Sequence, residues 1–261
     1  MKTQEVPIPL RPFYQHFRTL EYRHDYSIVF DDFLSAMMNY FTPPGVEGYS
    51  TDRFSRYTKE ERLIFGNLIQ TTIRIFEKEI TETVKWFDPF GDFYQLLASR
   101  GKQSALGQFF TPSSVVDMVT QIQGSDNKLT GKSLRISDPT CGSGRMLISF
   151  HAHHPGNFCY GEDLDDMCCK MTCLNMMVHG CQGEVVNHNS LNPNDYIKGW
   201  TINGTIQQTG LPSITPLLKE KSFIYQMWQN QLSETEKQKL SKIENDKNIQ
   251  IETVGLQLGI F

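Results

Sequence analysis

Two groups of residues in this chain have types and spacings that could do chemistry. The first is Asp138-Pro139-Thr140-Cys141-Gly142-Ser143-Gly144, an acidic turn with two glycines. Glycine lets the backbone approach a ligand more closely than a Cβ allows. The second is Glu162, Asp163 and Asp165, about 20 residues beyond that turn, where nucleotide-binding α/β folds keep a carboxylate for ribose hydroxyls. Cysteines and histidines raise the question of a metal. Cys168, Cys169, Cys173 and Cys181 crowd one region, but no C-x-x-C pair occurs. Cys169 and Cys173 stand one helical turn apart in an apolar stripe with Met167, Met171, Leu174 and Met177, which favours a core helix over zinc. His151, His153 and His154 precede Pro155-Gly156 at a helix end, where histidine helps cap carbonyls. No metal site is expected.

The elements that must position these groups can be read from periodicity. Leu134–Ser137 is a short strand, Met146, Leu147, Ile148 and Phe150 carry a helical pattern, and Phe158–Gly161 is a second strand. A helix from Leu164 to Val178 and a third strand, Gly183–Asn187, follow. This β-α-β-α-β succession predicts parallel strands with right-handed crossovers. Upstream the chain looks all-helical. Tyr26–Tyr40 is one helix, Thr58–Trp86 a second, with a Thr58/Glu61 capping box and a break near Gly66, and Asp88–Ser99 a third. The first 25 or so residues, with three prolines, read as an arm of little regular structure. Arg100–Gln108 is a polar connector, which divides the chain into a helical region, 1–104, and an α/β domain, 105–261. The regular core of that domain is 105–191. The remainder, 192–261, is irregular, with a short fourth strand at Trp200–Ile202, a helix from Ser222 towards Asp246, and a hairpin at 249–261.

Composition narrows the setting. The net charge is −4, so nothing global drives the chain to nucleic acid, and any DNA contact must come from a local patch or a partner subunit. The first residues show no apolar signal core, and no run approaches the roughly 20 apolar residues of a membrane span. Reduced cysteines and a cytoplasmic location are expected.

Three motifs then fall in order: Gly107-Gln108-Phe109-Phe110-Thr111-Pro112, the turn Asp138–Gly144, and Gly161-Glu162. Together they resemble the S-adenosylmethionine-dependent N6-adenine DNA methyltransferases, most closely the modification subunit of type I restriction systems. Asp88-Pro89-Phe90-Gly91-Asp92-Phe93-Tyr94 is similar to that family's approach to its catalytic domain. The resemblance covers about residues 85–191. It implies a Rossmann-like methyltransferase sheet preceded by a helical domain, with S-adenosylmethionine as cofactor and DNA as partner. By the same resemblance, the amides of Cys141, Gly142, Ser143 and Gly144 suit the cofactor carboxylate at a helix N-terminus. Asp138, beside Thr140, would hold the ammonium. Glu162, with Asp163 next to it, would grip the ribose diol. Leu164 would wall the adenine, Phe110, Thr111 and Pro112 would close over the methionine end, and the amide oxygen of Asn189 would accept from the adenine N6.

One motif of that family does not occur in these residues. The tetrapeptide [DNS]-P-P-[FYW] would bind the target amine and stack on a flipped base. The nearest candidates are Asn192-Pro193-Asn194-Asp195, close behind the third strand, and Asn203-Gly204-Thr205 after the fourth; Asn203 is the better placed and is the candidate catalytic residue. Three readings stay open: an adenine-specific DNA methylase that borrows target recognition from a separate specificity or methylase subunit, a cofactor-binding pseudo-methyltransferase with a regulatory or assembly role, and a helical interaction module that binds neither ligand.

Overall fold

A computed structural model describes residues 3–82, 85–98, 110–123, 129–192 and 194–232. The Gly107–Phe109 part of the first motif, the connector and the expected terminal hairpin lie outside the described residues.

The helical part begins earlier than expected. The first helix, α1 (Arg11–Glu21), buries Phe13, Tyr14, Phe17 and Leu20, which recur at helical spacing. The prolines that suggested an arm do not oppose this. Pro12 sits in the first turn, where its missing N–H has no intrahelical partner to lose. Helix α2 (Tyr26–Tyr40) is capped by Asp25, whose carboxylate accepts from the amides of Ser27 and Ile28. Helix α3 (Lys59–Glu82) starts with the expected reciprocal capping box. Thr58 Oγ1 accepts from the Glu61 amide, and Glu61 returns the bond to the Thr58 amide. It runs unbroken through Gly66, where an added Cβ would meet open space. Helix α4 (Pro89–Ala98) brings Phe93 edge-on to Phe13 and Phe17, at 4.8 and 4.9 Å between ring centres.

After α5 (Ser113–Gln123) the α/β part follows in order: β1 (Arg135–Asp138), α6 (Arg145–His153), β2 (Phe158–Asp163), α7 (Asp166–Val178), β3 (Gln182–His188), β4 (Tyr196–Ile202), the single turn α8 (Ile206–Thr209), β5 (Ile214–Leu217) and a helix α9 over 223–232. The five strands form one sheet in the order β1-β2-β3-β4-β5. As expected, β1, β2 and β3 run parallel. Strand β4 is longer than expected and antiparallel to β3, and β5 is antiparallel to β4. The connection explains the reversal. Only residues 189–195 separate β3 from β4, and a parallel crossover takes roughly a dozen residues or more.

Helix α7 is the keystone between the two parts. From Cys168 to Met177 every residue is buried, so the apolar stripe read from the sequence extends all round the helix. One side faces β2 and β3, and another faces α2. Lys170, buried to 1% exposure, reaches Asp31 of α2 at 2.6 Å and Asp166 at 3.0 Å. The buried apolar residues of the helical part and of the sheet form one continuous cluster. The end of α7 is held by His179. Its Nδ1 donates to Asn175 O at 2.7 Å, and its Nε2 accepts from the Phe87 amide at 3.1 Å, which requires the neutral ring.

Burial, ahead of the opposing bond to Asn175, pushes the His179 imidazole down to about 4. A histidine depressed in the native state favours folding above its unfolded pKa, near 6.5, and loses that contribution as pH falls towards 4. Stability to urea should therefore decline by roughly 3 kcal/mol over that window. In His179→Gln the decline should be smaller than in the wild type, the remainder coming from His151 and His154, which burial also depresses.

Candidate functional site

The glycine turn leaves the carboxyl end of β1 and is anchored on all sides. Gly142 and Gly144 have φ of +56° and +84°, in the left-handed region that disfavours a side chain. Space forbids one as well: an added Cβ would lie 3.0 Å from the Phe110 ring at Gly142 and 3.0 Å from Thr172 Cγ2 at Gly144. The Cys141 amide donates to Glu162 O of β2 at 2.9 Å, and Thr172 Oγ1 of α7 donates to Gly142 O at 2.9 Å. Behind the turn lies the buried carboxylate of Asp88. It accepts from Ser143 Oγ at 2.6 Å, Arg145 Nε at 2.5 Å, Asn175 Nδ2 at 2.7 Å and the Gly91 amide at 2.8 Å. Arg145 also pairs with Asp92 at 2.5 Å and donates from Nη1 to Thr111 O at 3.2 Å.

Through Arg145, Phe110 and Thr111 come to lie beside the turn, 28 residues ahead of Asp138 in sequence. A cavity of about 80 Å³ opens there, lined by Phe110, Thr111, Asp138, Thr140, Gly142 and Met146 among others. Pro112 follows at the start of α5, and its carbonyl accepts from Val115 and Val116. Ser143 and Cys141 are in the turn but buried, Ser143 bonded to Asp88 and Cys141 receiving Thr172 Oγ1 at 3.3 Å, so their side chains are not offered to a ligand. Three of the four turn amides expected to hold a ligand carboxylate are used within the fold, which corrects that expectation: Cys141 N–H donates to Glu162 O, Gly142 N–H to Asp163 Oδ2 at 2.9 Å, and Gly144 N–H to Cys141 O at 2.7 Å.

Side chains alternate along a strand, so the adjacent acids at the end of β2 point to opposite faces. Asp163 faces the glycine turn. Glu162 faces away, is fully buried, and is not presented to the cleft. Its carboxylate takes His188 Nε2 at 2.6 Å and Trp228 Nε1 of α9 at 2.7 Å, with Ser137 Oγ at 3.4 Å. The expected ribose grip by Glu162 is therefore corrected: the acid of this pair beside the glycine turn is Asp163, whose oxygens accept from the Gly142 and Asp165 amides. Leu164, next in the chain, is 63% exposed, and its turn is fixed by Asn187, which donates to Asp163 O and Leu164 O at 3.0 and 2.9 Å. Asn189 lies on the loop after β3, where its Oδ1 accepts from the Leu191 amide.

Asn203 does not join this site. Strand β4 runs against β3, so Ile202 pairs with Gly183 at the amino end of β3, across the sheet from the glycine turn. There Asn203 is fully buried at φ +54°. It donates to Met177 O at 3.0 Å and Cys181 O at 2.9 Å, and accepts from the Ser213 amide at 3.0 Å. It is a structural staple. The sequence reading had no means to see the strand reversal that removes it from the cleft. It also passed over Asp88, Arg145, Thr172 and Asn175, although Asp88 lay in a quoted motif; their roles are set by partners 30 to 87 residues away.

The electrostatics of the cleft are one-sided. Burial, opposed by the Thr140 amide and reinforced by Asp163 and Glu162, raises the Asp138 carboxyl above its ordinary value. Burial likewise raises Asp163, against bonds from the Asp165 and Gly142 amides. Among the described residues no cation is among the groups acting on either one, and the nearby guanidinium of Arg145 is already matched by Asp88 and Asp92. Such a cleft suits a ligand bearing a positive charge and hydroxyls, and repels the phosphates of a dinucleotide. A larger cleft, about 530 Å³, lies elsewhere, between the 42–49 loop and β4 and β5, lined by Tyr49, Lys198 and Trp200. None of the residues singled out from the sequence lines it.

Comparison with known proteins now bears on this geometry. Residues 85–206, from just before Asp88 to the start of α8, match the family described as N-6 DNA Methylase. Over this segment the chain is similar to the N-6 DNA methylase family. Two curated relatives come from Methanocaldococcus jannaschii. The MjaVII type I restriction enzyme methylase subunit is 24% identical over 125 residues, 45% of this chain and 21% of its own length. The MjaIX methylase subunit is 28% identical over 110 residues, 38% and 18% respectively. The chain thus spans about a fifth of the length of these relatives. Among solved structures, a type I restriction-modification methyltransferase subunit from Streptococcus thermophilus aligns over 55% of this chain and 31% of its own, at 20% identity and a TM-score of 0.36. A putative class I S-adenosylmethionine-dependent methyltransferase from Listeria monocytogenes aligns over 70% and 55%, at 13% and 0.39. At such scores neither structural likeness adds to the family match.

The N-6 DNA methylase segment makes Asn203 a sharp test of placement. Asn203→Ala removes three buried bonds and should lower unfolding free energy by about 2–4 kcal/mol in urea titrations. Ligand affinity at the glycine turn, measured on the folded variant, should stay at the wild-type value.

Proposed function

We propose that this chain binds S-adenosylmethionine at the glycine turn and serves N6-adenine methylation of DNA in a restriction-modification setting. The observation that carries the reading is the pair Asp138 and Asp163, two carboxylates that no cation among the described residues pairs, beside Gly142 and Phe110, within the segment matched to the N-6 DNA methylase family. The cofactor, when bound, supplies an electrophilic methyl group on a sulfonium. This chain's residues would supply the rest. Asp138 would hold the ammonium, with Thr140 beside it, and its charge would favour the nearby sulfonium. Asp163 would accept from the ribose hydroxyls. Leu164 would cover one face of the adenine, and Asn189 would accept from its amine after releasing the Leu191 amide. Phe110, Thr111 and Pro112 would shield the methionine end from water. The charge beside the turn suits a cationic, hydroxyl-bearing ligand, and Gly142 and Gly144 leave the room a Cβ would fill.

Target recognition is assigned elsewhere. No [DNS]-P-P-[FYW] tetrapeptide occurs in these 261 residues, and Asn203 is a buried staple. Binding and orienting the DNA base would fall to a separate specificity or methylase subunit in the cytoplasm. A second reading, a cofactor-binding regulator without transfer activity, is favoured by one contact: Trp228 and His188 occupy Glu162 and close that end of the sheet.

Calorimetry tests the first step. One equivalent of S-adenosylmethionine should bind at neutral pH, and Asp138→Asn or Asp163→Asn should weaken it about tenfold or more. Neither change should cost more than about 1 kcal/mol of stability, because both carboxyls are raised in the native state and carry charge there reluctantly. Affinity should fall as acid protonates the pair, with a midpoint above the ordinary carboxylate range. Absence of binding, or unchanged affinity in both variants, contradicts the proposal. Labelled methyl transfer to duplex DNA, with and without a partner subunit, separates the two readings.

A further inference from the structure

The amino ends of β2 and β3, at the opposite end of the sheet from the cofactor cleft, hold a cluster that the proposed function does not use. His151 lies on the last turn of α6, Cys159 is the second residue of β2, and Cys181 immediately precedes β3. Distances in sequence hid the group, since 8 and 22 residues separate the three and no pair has a familiar ligand spacing. In the fold, one donor atom from each lies within 4.8 Å of the other two. Both cysteines are free and fully buried. His151 is partly buried, and its Nδ1 is enclosed without a hydrogen-bond partner among the described residues. Its neighbour His153 differs, with Nδ1 at 2.9 Å from Ser149 O in the last turn of α6. The thiols have little else to bond: Cys159 Sγ lies 3.9 Å from Leu147 O, and the two free thiols lie within 4.8 Å of each other.

We propose that His151, Cys159 and Cys181 form a binding site for one thiophilic metal ion, zinc or copper(I), which ties α6 to β2 and β3. Two sulfurs and one imidazole nitrogen are donors that zinc and copper(I) favour, and hard cations such as magnesium or calcium do not. Closing from 4.8 Å to the separations of a bound set takes small side-chain rotations, since metal–sulfur and metal–nitrogen bonds are about 2.3 and 2.0 Å. The orphaned imidazole nitrogen and the two adjacent thiols gain a partner that the described residues do not otherwise provide. Burial pushes the Cys181 thiol up and the His151 imidazole down, so the thiol is held protonated and the imidazole neutral. A bound divalent ion reverses the first preference. Both thiols lose their protons on binding, two protons are released to solvent, and affinity rises with pH.

The proposal is independent of the methyltransferase reading, and its test needs no activity. The full chain, stripped of metal and reduced, is titrated with zinc, copper(I) or cobalt(II). One ion per chain is expected, with thiolate-to-cobalt absorption and a rise in thermal midpoint on zinc binding. X-ray absorption at the zinc or copper edge of the wild-type chain should show two sulfurs near about 2.3 Å and nitrogen near about 2.0 Å. Cys159→Ala and Cys181→Ala should each weaken binding by about a hundredfold, His151→Phe by about tenfold or more. Cys173→Ala, another buried cysteine outside the cluster, should leave it unchanged. The proposal is overturned if the wild-type chain takes up no ion, if the absorption edge shows no sulfur, or if Cys159→Ala binds like wild type. The edge measurement decides the matter even where a cysteine variant does not fold.

Discussion

The structure depends on one buried carboxylate. Asp88 stands at the start of α4 and collects donors from Gly91, Ser143, Arg145 and Asn175. A charge taken out of water costs several kcal/mol unless it is paired and hydrogen-bonded on all sides. Asp88 meets that condition only if α4, the glycine turn and α7 are held together. Gly91 has no side chain because a Cβ there would collide with the carboxylate itself. The same constraint fixes Arg145, which carries Thr111 and so brings the segment before α5 to the turn. The helical part is thus a structural wall of the site.

A second constraint is the alternation of side chains at the end of β2. Asp163 and Glu162 are adjacent, but one closes the cleft beneath the glycine turn and the other is sealed beneath α9. Beside the glycine turn lie two carboxylates that no cation among the described residues neutralises, and that imbalance favours a cationic ligand. Native proteins bear such repulsion where a ligand later relieves it. The buried pair of Glu162 and His188 on the other face contributes to the small core under α9.

Much of this was legible in the sequence, and the rest was not, for physical reasons. Glycines at Gly142 and Gly144, the apolar patterns of α6 and α7, and the short spacing of β1, β2 and β3 are local signals, and they give the parallel half of the sheet. Capping by Thr58 and Glu61 is local too. Helix α1 was missed because its prolines outweighed a sound aromatic stripe, Phe13 to Leu20. The choice between Glu162 and Asp163 depends on Trp228, 66 residues away, and no local pattern encodes it. Asn203 was misplaced because the direction of β4 is set by the length of a loop and its pairing with β3, not by its own residues.

The most direct test of the account is to locate the cofactor. Ultraviolet crosslinking of methyl-labelled S-adenosylmethionine to the chain, followed by peptide mapping, reports the site without assuming it. The account predicts label on peptides containing Phe110–Pro112, Asp138–Gly144 or Asp163–Leu164, competed away by excess unlabelled cofactor. Label confined to the larger cleft at Tyr49, Lys198 and Trp200, or no competable label at all, would contradict it.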